Sequence, residues 1–304
     1  MERRRPKREF GLTLRMAVVT TVIVTLYLAL LGLAIAVPVE DPHDLRSWLV
    51  PPFVALLIWF FISGAGQIAL RAAGARSVAC REAPELHALL DRLCGLADVP
   101  RPDLAVARLP AANAFAVGVR RGRSTIAVSD SLLERLEPEE VESVIAHELG
   151  HVAHRDASVV TAASLFPVLG AYLGRWRFAG RDYSKRKRDW REYLFWPVEM
   201  VLAVTLYLLG SLLTFAISRY REFDADRFSA VVTGAPQHLM SALQKLDGAA
   251  DAIPTRDLRV SSGLNALFIV SVKRRRWELM MDHPPLAKRL AELGKISREL
   301  GKAA

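Results

Sequence analysis

Two long apolar runs near the N-terminus restrict this chain more than any other feature. Residues 16–39 carry no charged side chain between Arg15 and Glu40, and residues 48–70 carry none between Arg46 and Arg71. At about 1.5 Å rise per residue, a helix over either run is long enough to cross the hydrocarbon core of a bilayer. The first run exceeds the apolar core of a cleaved signal peptide and reads as a retained anchor.

The charges around the runs set their direction. Arg3, Arg4, Arg5, Lys7 and Arg8 precede the first run, and Arg71, Arg76 and Arg81 follow the second. The linker Glu40–Ser47 holds three acids and one Arg. Basic flanks stay on the cytoplasmic side, so residues 1–72 are expected to form a transmembrane hairpin with both ends in the cytoplasm. Residues 73–304 then form the working domain. Hydrophobic residues make up 52% of the chain and mean hydropathy is +0.20, but charged residues still make up 24%, too many for a wholly embedded protein. The net charge of +9 fits flanks that face anionic lipid. No nucleic-acid motif accompanies it, so no nucleic-acid partner is expected. The two cysteines, Cys80 and Cys94, form no CxxC pair, which excludes a cysteine-built zinc site.

Beyond the anchor, the pattern is mainly helical with a small β-sheet. Leu86, Leu89, Leu90 and Leu93 have helical spacing after Pro84. Asp103–Ala107 reads as a strand. Phe115–Val119 and Ser124–Val128 flank Arg120-Arg121-Gly122-Arg123 as a hairpin with glycine in its turn. Pro138 opens a helix whose first turn carries Glu139 and Glu140. Two further apolar runs, 157–174 and 193–218, are inserted in this domain. The segment between them, 175–192, holds eight Lys or Arg. Either both runs span and the basic segment breaks the charge rule, or they form a re-entrant or protein-buried hairpin whose loop stays cytoplasmic. Helices are expected over 223–232, 237–246 and 286–300.

The chemistry centres on His147-Glu148-Leu149-Gly150-His151. On a helix, His147 and His151 share a face one turn apart and can chelate one ion. Glu148 is rotated away from that face and can instead reach a water held by the metal and accept its proton. This is the HExxH arrangement of zinc peptidases. His154 lies on the same side, but its rise from His147 of about 10 Å prevents both from holding one ion, so it is left out of the ligand set. The residues that follow do not complete HExxHxxGxxH, so the third ligand must come from elsewhere. The best candidate is Glu222 in Arg221-Glu222-Phe223-Asp224-Ala225-Asp226. Asp226, four residues on, can accept the free N–H of a ligand histidine and fix its tautomer.

With these motifs in order, the chain resembles the M48 family of integral-membrane zinc peptidases, and within it the HtpX-like branch. The resemblance covers about residues 84–300. It rests on Asn113-Ala-Phe-Ala116, the His147–His151 motif, Ser218 to Asp226, and His283-Pro-Pro-Leu-Ala-Lys-Arg289. It implies a membrane-anchored, zincin-like metallopeptidase domain with one zinc per chain. The metal ligands would be His147, His151 and Glu222, with Glu148 as catalytic base and Asp226 behind a ligand histidine. Asn113, Ala114 and Phe115 would belong to an edge strand that pairs with substrate backbone. His283 and Arg289 would lie near the zinc and contact the reacting carbonyl, or the histidine would cap the metal in a closed state.

The expected function is zinc-dependent endoproteolysis of membrane or membrane-proximal proteins, in membrane protein quality control. Its partners would be protein or peptide substrates and the lipid bilayer. The expected place is the inner or plasma membrane, multi-pass, with the catalytic domain facing the cytoplasm. Prenyl-protein processing, as in the Ste24-like branch, is the alternative enzyme reading; four apolar runs are few for those larger helical barrels. A non-catalytic membrane scaffold with a structural zinc is the alternative from another class. Such a site closes with four protein ligands and has no need of Glu148.

Overall fold

The protein is seen here as a computed structural model, which describes residues 66–67, 69–109, 111–118, 124–154, 190–251 and 283–303, with isolated positions 18, 21 and 25. The apolar run 157–174, most of the runs 16–39 and 48–70 and of the basic segment 175–192, and the turn 119–123 lie outside the described residues.

Four strands form one mixed sheet in the order β1-β2-β4-β3: β1 Ala75–Ser77, β2 Asp103–Ala107, β3 Ala114–Val117 and β4 Thr125–Ser129. β2 and β4 run parallel at the centre; β1 and β3 pair antiparallel at the two edges. The expected hairpin is present as β3 and β4, with Ala114 opposite Val128 and Val117 opposite Thr125. Ile126, Ala127 and Val128 of β4 are all fully buried, as a central strand covered on both faces requires.

Helices cover one face of the sheet. Helix α1, Pro84–Ala97, starts with proline in its first turn and buries Leu90, Leu93, Cys94 and Ala97. It ends at Asp98, whose left-handed backbone (φ 54°) sends its N–H to the Cys94 carbonyl. Burial pushes the Cys94 thiol up to about 11, which keeps it an inert core residue. Helix α2 is a single turn, Asp130–Leu133, capped by Ser129, whose hydroxyl accepts from the Leu132 N–H.

Helix α3, Pro138–His154, begins where the proline and paired acids put it. Glu140 reaches back to accept from the Glu137 N–H at 2.9 Å, one arm of a capping box. Val144, Ile145, Ala146 and Leu149 of α3 join Leu90, Leu93, Leu104, Ile126 and Val128 in the main core. Helix α5, Pro236–Asp251, and helix α6, Leu286–Ala303, close this core with Leu239, Leu243, Leu293 and Ile296. The opposite face of the sheet has a smaller core, where Phe115, Val117, Ala105 and Ala107 meet Ala69 and Ala73 at the end of the preceding helical residues.

Helix α4, Trp190–Thr233, departs from the sequence expectation. The apolar run 193–218 and the helix expected over 223–232 are one continuous element of 44 residues. The charged stretch from Arg219 to Asp226 marks a change of surroundings, not a break in the backbone. Val201, Val204, Tyr207, Leu208, Leu209 and Leu212 leave large apolar side chains exposed along it. The side chains at 202, 203 and 206 are not among those described; among the described residues no helix is long and apolar enough to cross a membrane.

Candidate metal and catalytic site

The site forms where α3 and α4 pack antiparallel. Gly150 permits the approach: a β-carbon there would stand 3.2 Å from the Phe228 Cβ and 3.3 Å from the Ala225 Cα. One hydrogen bond ties the helices further along, from the Ser229 hydroxyl to the Ser143 carbonyl at 2.7 Å. Beside these contacts His147 and His151 on α3 face Glu222 and Asp226 on α4.

The Nε2 atoms of His147 and His151 are 3.2 Å apart. Two imidazole nitrogens on one tetrahedral zinc would be separated by about 3.3 Å, given Zn–N distances of 2.0–2.1 Å. Glu222 completes a triangle, with Oε1 3.5 Å from His151 Nε2 and Oε2 3.7 Å from His147 Nε2. One donor atom from each residue lies within 4.8 Å of the others. The donor set and spacing fit a divalent zinc with an open fourth position. His154 does not join this group.

The residues behind the triangle fix its orientation. Asp226 Oδ1 lies 3.0 Å from His147 Nδ1, which leaves Nε2 to face the other donors. Arg289, on α6 and only 2% exposed, grips Asp226 with two hydrogen bonds, Nε to Oδ2 at 2.8 Å and Nη2 to Oδ1 at 2.6 Å. Its Nη1 lies 3.2 Å from Glu222 Oε2. All three nitrogens of its fork thus face the Asp226 and Glu222 carboxylates. His283 is buried with Nδ1 3.3 Å from Glu222 Oε2, so its ring adjoins the ligand triangle.

Electrostatics separate the acids into two kinds. Burial pushes Glu222 up, but His283 and Arg289 outweigh it and hold the carboxyl well below the usual carboxylate range. Burial likewise pushes Asp226 up, and Arg289 and His147 more than reverse that. Burial lowers His147 against the pull of Asp226, favouring the neutral imidazole that a metal requires. Glu148 differs: burial, with the Glu222 charge adding, pushes its carboxyl up to about 7 against His151, His283 and Arg289. Both Glu148 oxygens are buried and accept no hydrogen bond among the described residues. A buried carboxylate without a partner is costly and calls for a functional explanation.

The edge strand lies beside this site, with β3 packed against α3. Asn113 precedes it; its carbonyl accepts from the Ser129 N–H at 2.9 Å, and its Oδ1 accepts from the Ala114 N–H at 3.1 Å. The Asn113–Ser129 bond fixes the antiparallel alternation. Phe115 and Val117 therefore exchange backbone bonds with β4, and Ala114 and Ala116 direct theirs to the open edge. Phe115, expected to contact substrate, has its side chain buried in the smaller core and its backbone turned inward. The sequence motif marked the strand correctly but not the alternation within it.

Gly150 is the residue whose part the sequence left unread, although its place in the motif was the available signal. The Arg289 clamp had no local signal, because Asp226 and Arg289 are 63 residues apart.

The pattern of peptidase family M48 matches residues 80–297. The chain is 39% identical over 300 residues to "Protease HtpX homolog 1" of Streptomyces coelicolor, covering 96% of this chain and 95% of that one. It is 38% identical over 307 residues to "Protease HtpX homolog" of Moorella thermoacetica, covering 98% of each. Among solved structures, the crystal structure of S. mikatae Ste24p is similar in fold, with a TM-score of 0.52 at 17% identity. That likeness covers 93% of this chain and 64% of the Ste24p chain.

Proposed function

The chain belongs to peptidase family M48 as an HtpX-like metalloendopeptidase, and from that membership we propose that it hydrolyses peptide bonds of membrane or membrane-proximal proteins, in membrane protein quality control, with one zinc ion held by His147, His151 and Glu222. When bound, the zinc supplies Lewis-acid polarisation of the scissile carbonyl and makes a nearby water more acidic. Glu148 takes the proton from the attacking water and returns it to the leaving amine. Asp226 keeps the His147 tautomer that ligates, and Arg289 positions both Asp226 and Glu222. The open edge of β3, through Ala114 and Ala116, aligns the substrate backbone as an added strand. His283 stands beside the reacting carbonyl.

The observation that carries this reading is the Glu148 carboxylate, buried and without a hydrogen-bond partner next to three convergent ligands. A scaffold with a structural zinc has no use for such a group. The prenyl-protein alternative draws on the likeness to Ste24p, which at 17% identity speaks to fold alone.

Membrane attachment rests on the charge-free runs of the hairpin anchor, residues 1–72, and on the exposed apolar surface of α4. The Ser211 and Thr214 hydroxyls on that helix donate to the Tyr207 and Gly210 carbonyls of the same helix, as side chains in lipid must. Leu212 precedes Glu222 by about 15 Å of helical rise. That spacing supports a site just beyond the apolar band, which we read as the cytoplasmic surface of the inner or plasma membrane, where membrane-proximal segments pass.

Glu148→Gln tests the mechanism in the full-length, detergent-solubilised protein. Zinc content is expected to match the native protein, while cleavage of a casein-like substrate falls by about 10²–10⁴-fold. Unchanged cleavage overturns the peptidase mechanism.

A further inference from the structure

One polar pair at the α3–α4 contact takes no part in the ligand triangle or the Arg289 clamp. His154 is the last residue of α3, and its Nδ1 lies 3.1 Å from Asp224 Oδ2 on α4. Both side chains are largely withdrawn from solvent, at 15% and 6% exposure. The His154 ring stands edge-on to Phe228, with centroids 5.8 Å apart at 84°. Phe228 is also the residue against which Gly150 packs.

Along the two helices Ser143 meets Ser229, His147 meets Asp226, Gly150 meets Ala225 and His151 meets Glu222, while His154 turns back to Asp224, which lies between Glu222 and Asp226 on α4. The Gly150–Ala225 contact is a pivot: it sets how near the helices come but allows them to splay about it. The Ser143–Ser229 bond restrains the splay on one side of the pivot. On the His151 side of α3, His154 meets α4 at Asp224, two residues from Glu222. Asp224 further faces Arg221, whose guanidinium burial pulls down to about 9 against the charges of Glu222 and Asp224.

We propose that His154 and Asp224 are a positioning pair that holds the far end of α3 against α4 and so keeps Glu222 at ligand distance from His151. The proposal rests on the reading of His147, His151 and Glu222 as the zinc site. Neither residue touches metal or substrate; they act through the separation of the two helices. Loosening that end moves His151 more than His147, because on α3 His151 is one turn from His154 and His147 is two.

The test is zinc affinity of the full-length protein in detergent, measured by competition with a chelating dye. His154→Ala and Asp224→Ala are each expected to weaken zinc binding by about 10–100-fold, the usual effect of removing a group that orients ligands. The double variant is expected to be no weaker than the worse single one, since both remove the same contact. His154→Asn, which puts an amide N–H near the position of Nδ1, is expected to recover most of the affinity. Native affinity in either alanine variant, or additive losses in the double variant, overturns the proposal. If an alanine variant does not fold, His154→Asn against His154→Leu decides: the proposal requires the first to bind zinc more tightly than the second, and equality of the two overturns it. His151→Ala separates the two readings. If it binds zinc as the native protein does, the site assignment itself has failed, whatever the His154 variants show.

Discussion

Gly150 of α3 lies so close to Ala225 of α4 that a β-carbon on it would stand 3.3 Å from the Ala225 Cα and 3.2 Å from the Phe228 Cβ on the same helix. The Ala225 obstruction is backbone, which cannot rotate away. The two helices carrying the proposed ligands therefore meet at a distance set by the absence of a side chain. Gly150→Val is expected to lower stability by about 1–3 kcal/mol through overpacking. It should also weaken zinc binding in the fraction that stays folded, because the added bulk moves His151 away from Glu222. Thermal unfolding of the metal-free protein and zinc competition on the folded protein measure the two effects separately. A variant that loses stability but keeps native zinc affinity shows that the ligand spacing is not set at this contact.

Arg289 gives a second, independent prediction. Its guanidinium holds Asp226 through two parallel hydrogen bonds and reaches Glu222 with the remaining nitrogen. All three groups are buried. Arg289→Lys preserves the charge but not the fork, so one of the carboxylates loses its partner. It is expected to weaken zinc binding while retaining the fold. Arg289→Ala leaves two buried carboxylates uncompensated and is expected to cost about 3–5 kcal/mol. Denaturant unfolding distinguishes the two. If Lys and Ala behave alike in both stability and zinc affinity, the bidentate geometry is not what matters.

Much of this arrangement is legible in sequence because its signals are local. Pro138, Glu139 and Glu140 announce the start of α3, and the i, i+4 spacing of His147 and His151 needs only that helix to form a chelate. Asp103–Ala107 is bounded by a proline on one side and reads as a strand with its bounds intact. What the sequence concealed depends on partners far along the chain. β1 is three residues with a charged middle, Arg76, and exists because the edge of β2 offers it hydrogen bonds. The turn of α2 had a local signal, the Ser129 cap, but is too short for periodicity to show. α4 reads as two elements because hydropathy changes at Arg219, whereas backbone hydrogen bonding does not. The division of labour between Ala114 and Phe115 depends on the pairing phase with β4, which no single strand encodes.

The Glu140 carboxylate predicts an acid limit to stability away from the site. Its Oε1 accepts from the Ser241 hydroxyl at 2.6 Å and its Oε2 from Lys245 at 2.8 Å, tying α3 to α5. Burial pushes its carboxyl up, but the bonds from Lys245, Ser241 and the Glu137 N–H together hold it below the usual value. A group whose folded pKa is lowered binds its proton more readily when unfolded. Its stabilisation is therefore complete above the unfolded value of about 4.3 and is lost as pH falls through the lower folded value. The native protein is expected to lose more stability on acidification through this range than Glu140→Gln, which has no proton to gain. Denaturant unfolding at a series of pH values, with metal removed, measures the difference. Parallel curves for the two proteins remove Glu140 from the account.

The open edge of β3 can be tested without touching the metal. Ala116 directs its N–H away from β4, so proline at this position removes a group that pairs with nothing in the sheet and costs no ladder hydrogen bond. Ala116→Pro is expected to leave zinc affinity and the unfolding midpoint close to native values. Its effect should fall on extended substrates that add a strand to the edge: KM rises, while a short peptide lacking the paired positions is cleaved as before. The reverse substitution pattern provides the internal check. Val117 belongs to a hydrogen-bonded pair with Thr125 and packs in the smaller core, so Val117→Pro breaks the ladder and is expected to destabilise the protein. If Ala116→Pro destabilises as much as Val117→Pro, the alternation assigned to β3 is reversed. If Ala116→Pro leaves KM for extended substrates unchanged, the substrate does not bind by strand addition to this edge.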